Sequence, residues 1–392
     1  MHRFALGRKS SAGRLAEIVL AVSAMSATAE DLSVYFVGNS LTDAVRAGDL
    51  DAIAGTAGHG MDWGQHLIWG SSLNWLWENP DQASKVSGPY GMWSEALPNN
   101  AWDVVSLQPF DRKLDSEING EPAGDVVHAL NFIDLALQAP VNRDTRFLIY
   151  QHSPAKPNDG SEVSYEDWWV NRAYEPGWNQ THDISEYAYL LRDALEAELD
   201  TRPADERPNR PIEVVPVGDV FLGLDTLMRG GGLDGAPAGS EVWDLYTDHV
   251  HFNATGQYAA AMTYYAVLFG ESPEGLPTGN YLISQERAAQ VQSVVWTVVN
   301  GGRIAPGDAN LDGRVDQSDL NALLTNWGAA DVAWATGDFD GDGSVNQSDL
   351  NAVLTNWGEG GVPVADGVAL PEPTAGVATV TAWLLLSRRF PI

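Results

Sequence analysis

Three residues of this sequence have the types and the spacing of a nucleophilic catalytic triad. Ser40 follows the apolar segment 32–37 within Gly38-Asn39-Ser40-Leu41-Thr42, and Asp248 precedes His251 by three residues. A serine on a tight turn after a buried strand is accessible to a base. A carboxylate one turn before a histidine can hold imidazole Nδ1, which leaves Nε2 to accept the serine proton. The pattern predicts acyl transfer, with Ser40 as nucleophile, His251 as base and Asp248 as orienting acid.

Each half of this pattern also has a simpler interpretation. A strand that ends in Gly-x-Ser is commonly an ordinary turn, and an Asp ahead of a helix commonly caps it. His249 is a second candidate base in the same loop. The spacing from Asp248 favours His251, and we expect His249 to take no part in the reaction.

The residues that must position the triad alternate between strand-like and helix-like patterns. Strand candidates lie at residues 32–37, 61–68 (the weakest), 102–107, 146–151 and 212–217. Helical periodicity covers residues 126–138 and 184–199. Buried strands separated by helices predict an α/β fold with a mostly parallel, five-stranded sheet. Catalytic groups of such sheets lie at the carboxyl ends of strands, which is where Ser40 is found.

Over residues 31–270 these segments resemble the SGNH/GDSL hydrolase superfamily of esterases, which implies a flavodoxin-like three-layer α/β/α fold. Gly38-Asn39-Ser40-Leu41 matches the first family block, which makes Ser40 the nucleophile. Trp69-Gly70-Ser71-Ser72-Leu73 matches the second block, which implies that the Gly70 N–H stabilises the oxyanion. Asp248-x-x-His251 matches the last block and supplies acid and base from one loop.

The third block departs from the family pattern. Its usual Asn is replaced by Gln108 at the end of the segment 102–108. A Gln carboxamide can donate the same N–H from one methylene farther out. The resemblance therefore implies an oxyanion hole made by Gln108 with the N–H groups of Ser40 and Gly70, with Asn74 as an alternative donor. This chemistry requires no metal.

An aromatic-rich insertion suggests the substrate. It contains Tyr165, Trp168, Trp169, Tyr174 and Trp178. Aromatic faces pack on sugar rings, which predicts an O-acyl, most simply acetyl, group on carbohydrate; the alternative is that these rings are core material. Two other functions stay open: a broad-specificity esterase or lipase acting on small esters, and a catalytically silent protein that mediates calcium-dependent surface attachment.

A duplicated acidic motif follows the hydrolase-like region. Residues 312–328 read DGRVDQSDLNALLTNWG and residues 342–358 read DGSVNQSDLNAVLTNWG. Oxygen ligands at alternate positions, with a glycine at position six, predict two Ca²⁺ loops. The predicted ligands are Asp308, Asn310, Asp312, the Arg314 carbonyl, Asp316 and Asp319, and then Asp338, Asp340, Asp342, the Ser344 carbonyl, Asn346 and Asp349.

Loop–helix duplicates without an entering helix resemble dockerin type I modules, which implies a small all-α domain stapled by two structural Ca²⁺ ions. Dockerins bind cohesins. At the recognition positions, however, Gln317-Ser318 and Gln347-Ser348 replace the usual Ser/Thr pair, and Thr325-Asn326 replaces a basic pair. The sequence thus favours calcium binding over a cohesin-like partner.

Composition and termini indicate an exported protein. The net charge of −31 argues against nucleic acid and anionic membrane surfaces as partners, because both would repel the chain, and the absence of cysteine excludes disulfides and thiolate chemistry. A basic leader, an apolar run and Ala27-Thr28-Ala29 form a signal-peptide pattern. Pro371-Glu372-Pro373-Thr374, an apolar run and Arg388-Arg389 resemble a PEP-CTERM sorting signal. That resemblance implies transient membrane retention, cleavage by a sorting protease and release to the cell surface.

The sequence therefore divides into five parts. These are a signal peptide at residues 1–29, a hydrolase domain at 30–302, calcium repeats at 306–359, a linker at 360–370 and the sorting signal at 371–392.

Overall fold

The computed structural model describes residues 29–358, apart from 111–112, 115–116, 119–120, 123, 158–160 and 172–182. The predicted linker and sorting signal lie outside the described residues, as does the signal peptide up to residue 28. None of the helices in the described part of the chain has both the length and the apolar composition of a membrane span.

The centre of the fold is a six-stranded sheet. Its strands are β1 (Asp31–Gly38), β2 (Gly60–Leu67), β3 (Lys85–Ser87), β4 (Val104–Leu107), β7 (Arg146–Tyr150) and β8 (Glu213–Val215), while β5 (Glu117–Ile118) and β6 (Glu121–Pro122) form a separate short hairpin. The order is β3-β2-β1-β4-β7-β8, and every pairing is parallel except β2 with β3. The five parallel strands thus have the flavodoxin-like order, second-first-third-fourth-fifth.

The prediction of five strands was wrong by one. The additional strand, β3, is a three-residue edge strand of sequence Lys-Val-Ser, which is too short to show a hydrophobic period. The weakest strand candidate, residues 61–68, corresponds to β2, which pairs along its whole length with β1.

Twelve helices are described. They are α1 (Ser40–Asp43), α2 (Ala47–Ala57), α3 (Leu73–Glu78), α4 (Trp93–Asn99), α5 (Asp125–Ala136), α6 (Tyr165–Trp169), α7 (Tyr187–Asp200), α8 (Val217–Arg229), α9 (Ala254–Phe269), α10 (Gln285–Val299), α11 (Gln317–Thr325) and α12 (Gln347–Thr355). Helices α2, α8, α9 and α10 contact one another in one group, and α3, α4, α5 and α7 form a second group. The predicted helical stretches are confirmed as α5 and α7.

The register of β1 places its carboxyl end between two other strand ends. Gly38 pairs with Leu67 of β2, and Val37 pairs with Leu107 of β4. The strand order reverses between β1 and β4, and ligands of open α/β sheets bind in the crevice at that point. The residues that follow β1 and β4 are therefore brought together at this edge of the sheet.

The repeat region packs against α8 and α10. Trp334, only 2% exposed, donates its Nε1–H to the Asp308 carbonyl at 2.6 Å. A Cβ added at Gly230, just after α8, would lie 2.2 Å from the Trp334 ring, so only glycine permits this approach. Thr297 of α10 donates its hydroxyl to the Leu311 carbonyl within the first loop. The apolar core is consequently continuous from the sheet into the repeats.

Candidate active site

The nucleophile candidate lies on a turn that glycine makes possible. Ser40 is the first residue of α1, and the preceding Asn39 caps the helix by accepting the Leu41 N–H at 3.0 Å. A Cβ at Gly38 would lie 2.1 Å from Thr42 Oγ1, so no other residue fits there without a shift. The chain can therefore turn directly from the buried strand and present Ser40 at the sheet edge.

The base and the acid lie on one loop, and both contacts expected of a triad are present. The Ser40 hydroxyl donates to His251 Nε2 at 2.9 Å, and His251 Nδ1–H donates to Asp248 Oδ2 at 2.8 Å. This assignment of protons gives the tautomer that general-base catalysis needs. The loop ends at Asn253, which caps α9 by accepting the N–H groups of Thr255 and Gly256.

Asp248 is held in its ionised form. Its Oδ1 accepts the N–H groups of His251 and Val250 at 2.8 and 2.7 Å. The backbone hydrogen bond from His251, its ring N–H and the Val250 N–H together hold the pKa of Asp248 well below its ordinary value. The carboxylate can therefore orient the imidazole and stabilise the imidazolium that forms during the reaction.

His249 also lines the cleft but is placed differently. Its carbonyl accepts the Lys156 N–H at 2.7 Å, and among the described residues its ring makes no hydrogen bond to Ser40 or Asp248. The hydrogen bonds to Ser40 and Asp248 are therefore made by His251 and not by His249, as the spacing from Asp248 predicts.

The buried side chain of Gln108 forms hydrogen bonds to the turn that carries Ser40. It is fully buried, and its Oε1 accepts the Asn39 N–H, the Thr42 N–H and the Thr42 hydroxyl, the last at 2.6 Å. Its Nε2 donates to Asn39 Oδ1 at 2.9 Å. Gln108 does not line the cleft, and these contacts make it a positioning residue for Ser40.

The two predicted backbone donors of the oxyanion hole belong to Ser40 and Gly70, which line the same cleft. Gly70 lines the cleft with Ser40 and has a φ of 68°, a conformation that favours glycine. In the part of the chain that the structure describes, neither the Gly70 N–H nor the Ser40 N–H donates to a protein acceptor. Asn74, the alternative donor, instead lies on α3, with Nδ2 3.1 Å from His128 Nε2 and 3.4 Å from Glu78 Oε1. The available donors at the site are thus the two N–H groups.

Ser40 opens into a large cleft of about 1090 Å³. The aromatic rings of four Trp and Phe residues line it, those of Trp63, Trp69, Phe110 and Phe252. Two ion pairs lie on the same wall: Lys85 Nζ with Asp43 at 2.5 Å and Arg46 with Asp49 at 2.5 Å. These residues come from β2, β3, α1, α2 and the segments after β4 and before α9, so their proximity is a product of the topology and no local pattern marks it.

The aromatic insertion is largely core. Tyr165 and Trp169 are almost fully buried, and they donate to the Gly218 carbonyl and to Asp219 Oδ1, respectively. Trp168 is partly buried against the same core, while Tyr174 and Trp178 lie outside the described residues. The prediction that Tyr165 and Trp169 form a substrate platform was wrong, since composition alone cannot tell a core ring from an exposed one.

The two acidic loops have the donor chemistry of hard cation sites. In the second loop, carboxylate oxygens of Asp338, Asp340 and Asp342 lie within 4.8 Å of one another. In the first, Asp308 is fully buried, and burial with the neighbouring carboxylates of Asp319 and Asp312 raises its pKa to about 7. Carboxylates gathered in this way favour a bound cation over mutual repulsion.

The last carboxylate of each loop also accepts hydrogen bonds from backbone N–H groups. Asp319 accepts the N–H groups of Ala309 and Asp316, and Asp349 accepts those of Phe339 and Asn346. Each carboxylate oxygen has two lone pairs, so these bonds leave room for a cation on the same groups. Asp316 and Asn346 in turn cap α11 and α12.

Comparison with known proteins gives distant similarity only. Neither a protein-family model nor a curated protein matches the sequence. A DUF4886 family protein from Bacteroides uniformis is 15% identical with a TM-score of 0.44, over 69% of this chain and 95% of that chain. An acetyl xylan esterase is 16% identical (TM-score 0.34, 60% and 100% covered), and an α/β hydrolase from the metagenome of Lake Arreo, Spain, is 12% identical (0.32, 62% and 98%). The interpretation of the site therefore depends on its own geometry.

Proposed function

We propose that the chain is a serine esterase of the SGNH type. The observation that carries this proposal is the pair of hydrogen bonds that join Ser40 Oγ to His251 Nε2 and His251 Nδ1 to Asp248, at 2.9 and 2.8 Å. The three groups follow one another in the order that proton removal from a serine requires. Ser40 and His251 also line a cleft wide enough to admit a substrate.

The proposed reaction is acyl transfer in two steps. Ser40 Oγ attacks the ester carbonyl while His251 removes the hydroxyl proton, and the N–H groups of Ser40 and Gly70 stabilise the oxyanion. Collapse of the tetrahedral intermediate expels the alcohol, which takes the proton from His251. Water then attacks the acyl-enzyme with His251 as base again, and the carboxylic acid leaves.

We propose an O-acetyl group on carbohydrate as the substrate. The two ion pairs on the cleft wall suit hydroxyl-bearing molecules and disfavour a long acyl chain, because burying an alkyl chain against them would remove the water that solvates them. The broad-specificity esterase is the alternative. A series of 4-nitrophenyl esters from acetate to octanoate separates the two, and we expect the rate to fall as the acyl chain lengthens.

The triad is tested by single substitutions assayed with 4-nitrophenyl acetate. We expect Ser40→Ala and His251→Ala to lower kcat by about 10³-fold or more, because each removes a group that acts on the reacting atoms. His249→Ala is the matched control and should keep the wild-type rate. Equal activity of wild type and Ser40→Ala would contradict the triad assignment. A wild type as inert as Ser40→Ala would favour the silent attachment protein.

We also propose that the two acidic loops bind one Ca²⁺ each. The predicted ligand positions would supply hard oxygen donors, and the ion would tie each loop to the helix that follows it. We expect calorimetric titration of chelator-treated protein to give two ions per chain, and Asp338→Asn to lose one. Asp205→Asn, at an exposed position away from the loops, is the control. Absence of binding in the wild type would contradict the proposal.

The termini support export as a further proposal. The basic leader with Ala27-Thr28-Ala29 and the PEP-CTERM-like tail would direct the chain to the cell surface, with a sorting protease as partner. We expect the protein in the extracellular fraction of its host and a chain truncated after residue 370 to lose any transient membrane association. A chain found only in the cytosol would contradict this proposal.

A further inference from the structure

Trp69 has an unusual position for a large aromatic ring. It is 46% exposed although it lies in the cleft, and the next residue is Gly70, one of the two free oxyanion donors. Its N–H donates to Ser84 Oγ at 2.9 Å, which fixes the backbone at the end of β2. Trp75, Trp327 and Trp357 are about as exposed, so it is the position in the cleft with Ser40, and not the exposure alone, that distinguishes Trp69.

Polar groups with spare hydrogen-bonding capacity line the same cleft as this ring. The Lys85 ammonium has three donors and the Arg46 guanidinium has five, and the carboxylates of Asp43 and Asp49 fix both without using all of them. Arg46 itself has a φ of 54°, and its guanidinium lies 4.4 Å from the centroid of the Tyr281 ring. A left-handed non-glycine residue is uncommon, and such residues occur often at functional sites.

An aromatic face beside fixed hydrogen-bonding groups matches the surface of a pyranose ring. The C–H groups on one face of the sugar pack on the aromatic ring, while its hydroxyls reach the polar groups at the edge. A hydrocarbon chain would cover the ring but would leave the charged pairs unsolvated. The combination therefore favours a sugar over a lipid.

We infer that Trp69 is the specificity-determining residue of the cleft, on which the acetylated pyranose ring stacks while its hydroxyls bind the Lys85–Asp43 pair. This inference rests on the proposed esterase function. Because Trp69 and Gly70 are consecutive, a ring stacked on Trp69 holds its ester carbonyl next to the oxyanion donors and Ser40. The same contact thus binds the sugar and sets the position of the ester.

The kinetic test compares a sugar ester with an ester that has no sugar. For Trp69→Ala we expect KM for acetylated xylo-oligosaccharides to rise about tenfold, and KM for 4-nitrophenyl acetate, which has no sugar ring to stack, to rise much less. Trp69→Phe should retain part of the affinity. Trp75→Ala is the matched control, since Trp75 is 49% exposed but does not line the cleft, and both substrates should behave as with wild type. Equal effects of Trp69→Ala on both esters, or none, would overturn the inference.

A binding experiment separates this inference from the proposed function. The Ser40→Ala protein is titrated with xylo-, manno- and gluco-oligosaccharides, and tryptophan fluorescence is followed. We expect a change that is lost in Ser40→Ala/Trp69→Phe and kept in Ser40→Ala/Trp75→Phe. Sugar binding through Trp69 by an enzyme that hydrolyses no ester would refute only the esterase function. Hydrolysis of 4-nitrophenyl acetate without binding of any of these sugars would refute only the role of Trp69.

Discussion

Replacing Gln108 by alanine tests the positioning of the nucleophile. Among the residues that the structure describes, the substitution removes the one acceptor of the Asn39 N–H, the Thr42 N–H and the Thr42 hydroxyl, together with the donor to Asn39 Oδ1. All of these groups are buried, so bulk water cannot replace the amide directly. Asn39 and Thr42 lie close to Ser40 in the same turn, so any relaxation of that turn moves Ser40 Oγ.

The magnitude follows from the number of orphaned donors. A buried donor left without an acceptor costs about 1–3 kcal/mol, and three such donors at the lower value give about 3 kcal/mol of lost stability. At about 2–4 °C per kcal/mol, the melting temperature should fall by about 6–12 °C. A displacement of the nucleophile by about 1 Å should lower kcat about 10²-fold, with little change in KM because the cleft wall is intact.

Steady-state kinetics with 4-nitrophenyl acetate and thermal unfolding by circular dichroism measure the two effects. Gln292→Ala is the matched control, because Gln292 is equally buried and makes three hydrogen bonds, to Tyr258, Leu276 and Gly275, away from Ser40. It leaves one donor, the Gly275 N–H, without its acceptor, so it should lose less stability than Gln108→Ala and keep kcat. A wild-type kcat in Gln108→Ala, or an equal loss of kcat in Gln292→Ala, would refute the reasoning.

Two further predictions concern the same site. Asp248→Asn should lower kcat by about 10²–10⁴-fold. In the wild type, the pKa of Asp248 lies below its ordinary value, so Asp248 stays ionised as the pH falls from 7 to 5. Any loss of activity in the pH–rate profile over that range must therefore come from another group. An activity step assigned by NMR titration to this carboxyl would contradict that prediction. Gly38→Ala should abolish activity and destabilise the fold, since its Cβ would meet Thr42, whereas Gly55→Ala, at a helical position with open space, should raise the melting temperature slightly. Comparable unfolding temperatures for both variants would contradict the steric argument.

The elements predicted correctly are those with strong local patterns. Strand β1 and helices α5 and α7 show buried runs or helical periodicity, and the turn with Ser40 follows from Gly38. Strand β3 could not be predicted, because its three residues pair only through tertiary contact with β2. An element can thus be predicted from the sequence when its stabilising contacts are local, and it is missed when they come from residues far away in the chain.

The site shows the same limit. Acid and base are local to one loop, and their spacing alone indicates the contact between them. The positioning role of Gln108 depends on the register of β4 against β1, and the cleft position of Trp69 depends on how β2 ends beside Ser40. Neither follows from the residue types, because the sequence does not show that this Gln is buried behind the nucleophile or that this Trp is exposed in the cleft.

The loop that carries both Asp248 and His251 has a consequence for how activity is gained and lost. Since acid and base are assembled within four residues, the triad itself is completed by one long-range hydrogen bond, that of His251 with Ser40 across 211 positions of the chain. Turnover therefore requires that the start of α9 is packed against the end of β1. During refolding, recovery of turnover should coincide with formation of that junction and should come later than the gain in the helical circular dichroism signal. An activity assay therefore measures the rate of this last packing step.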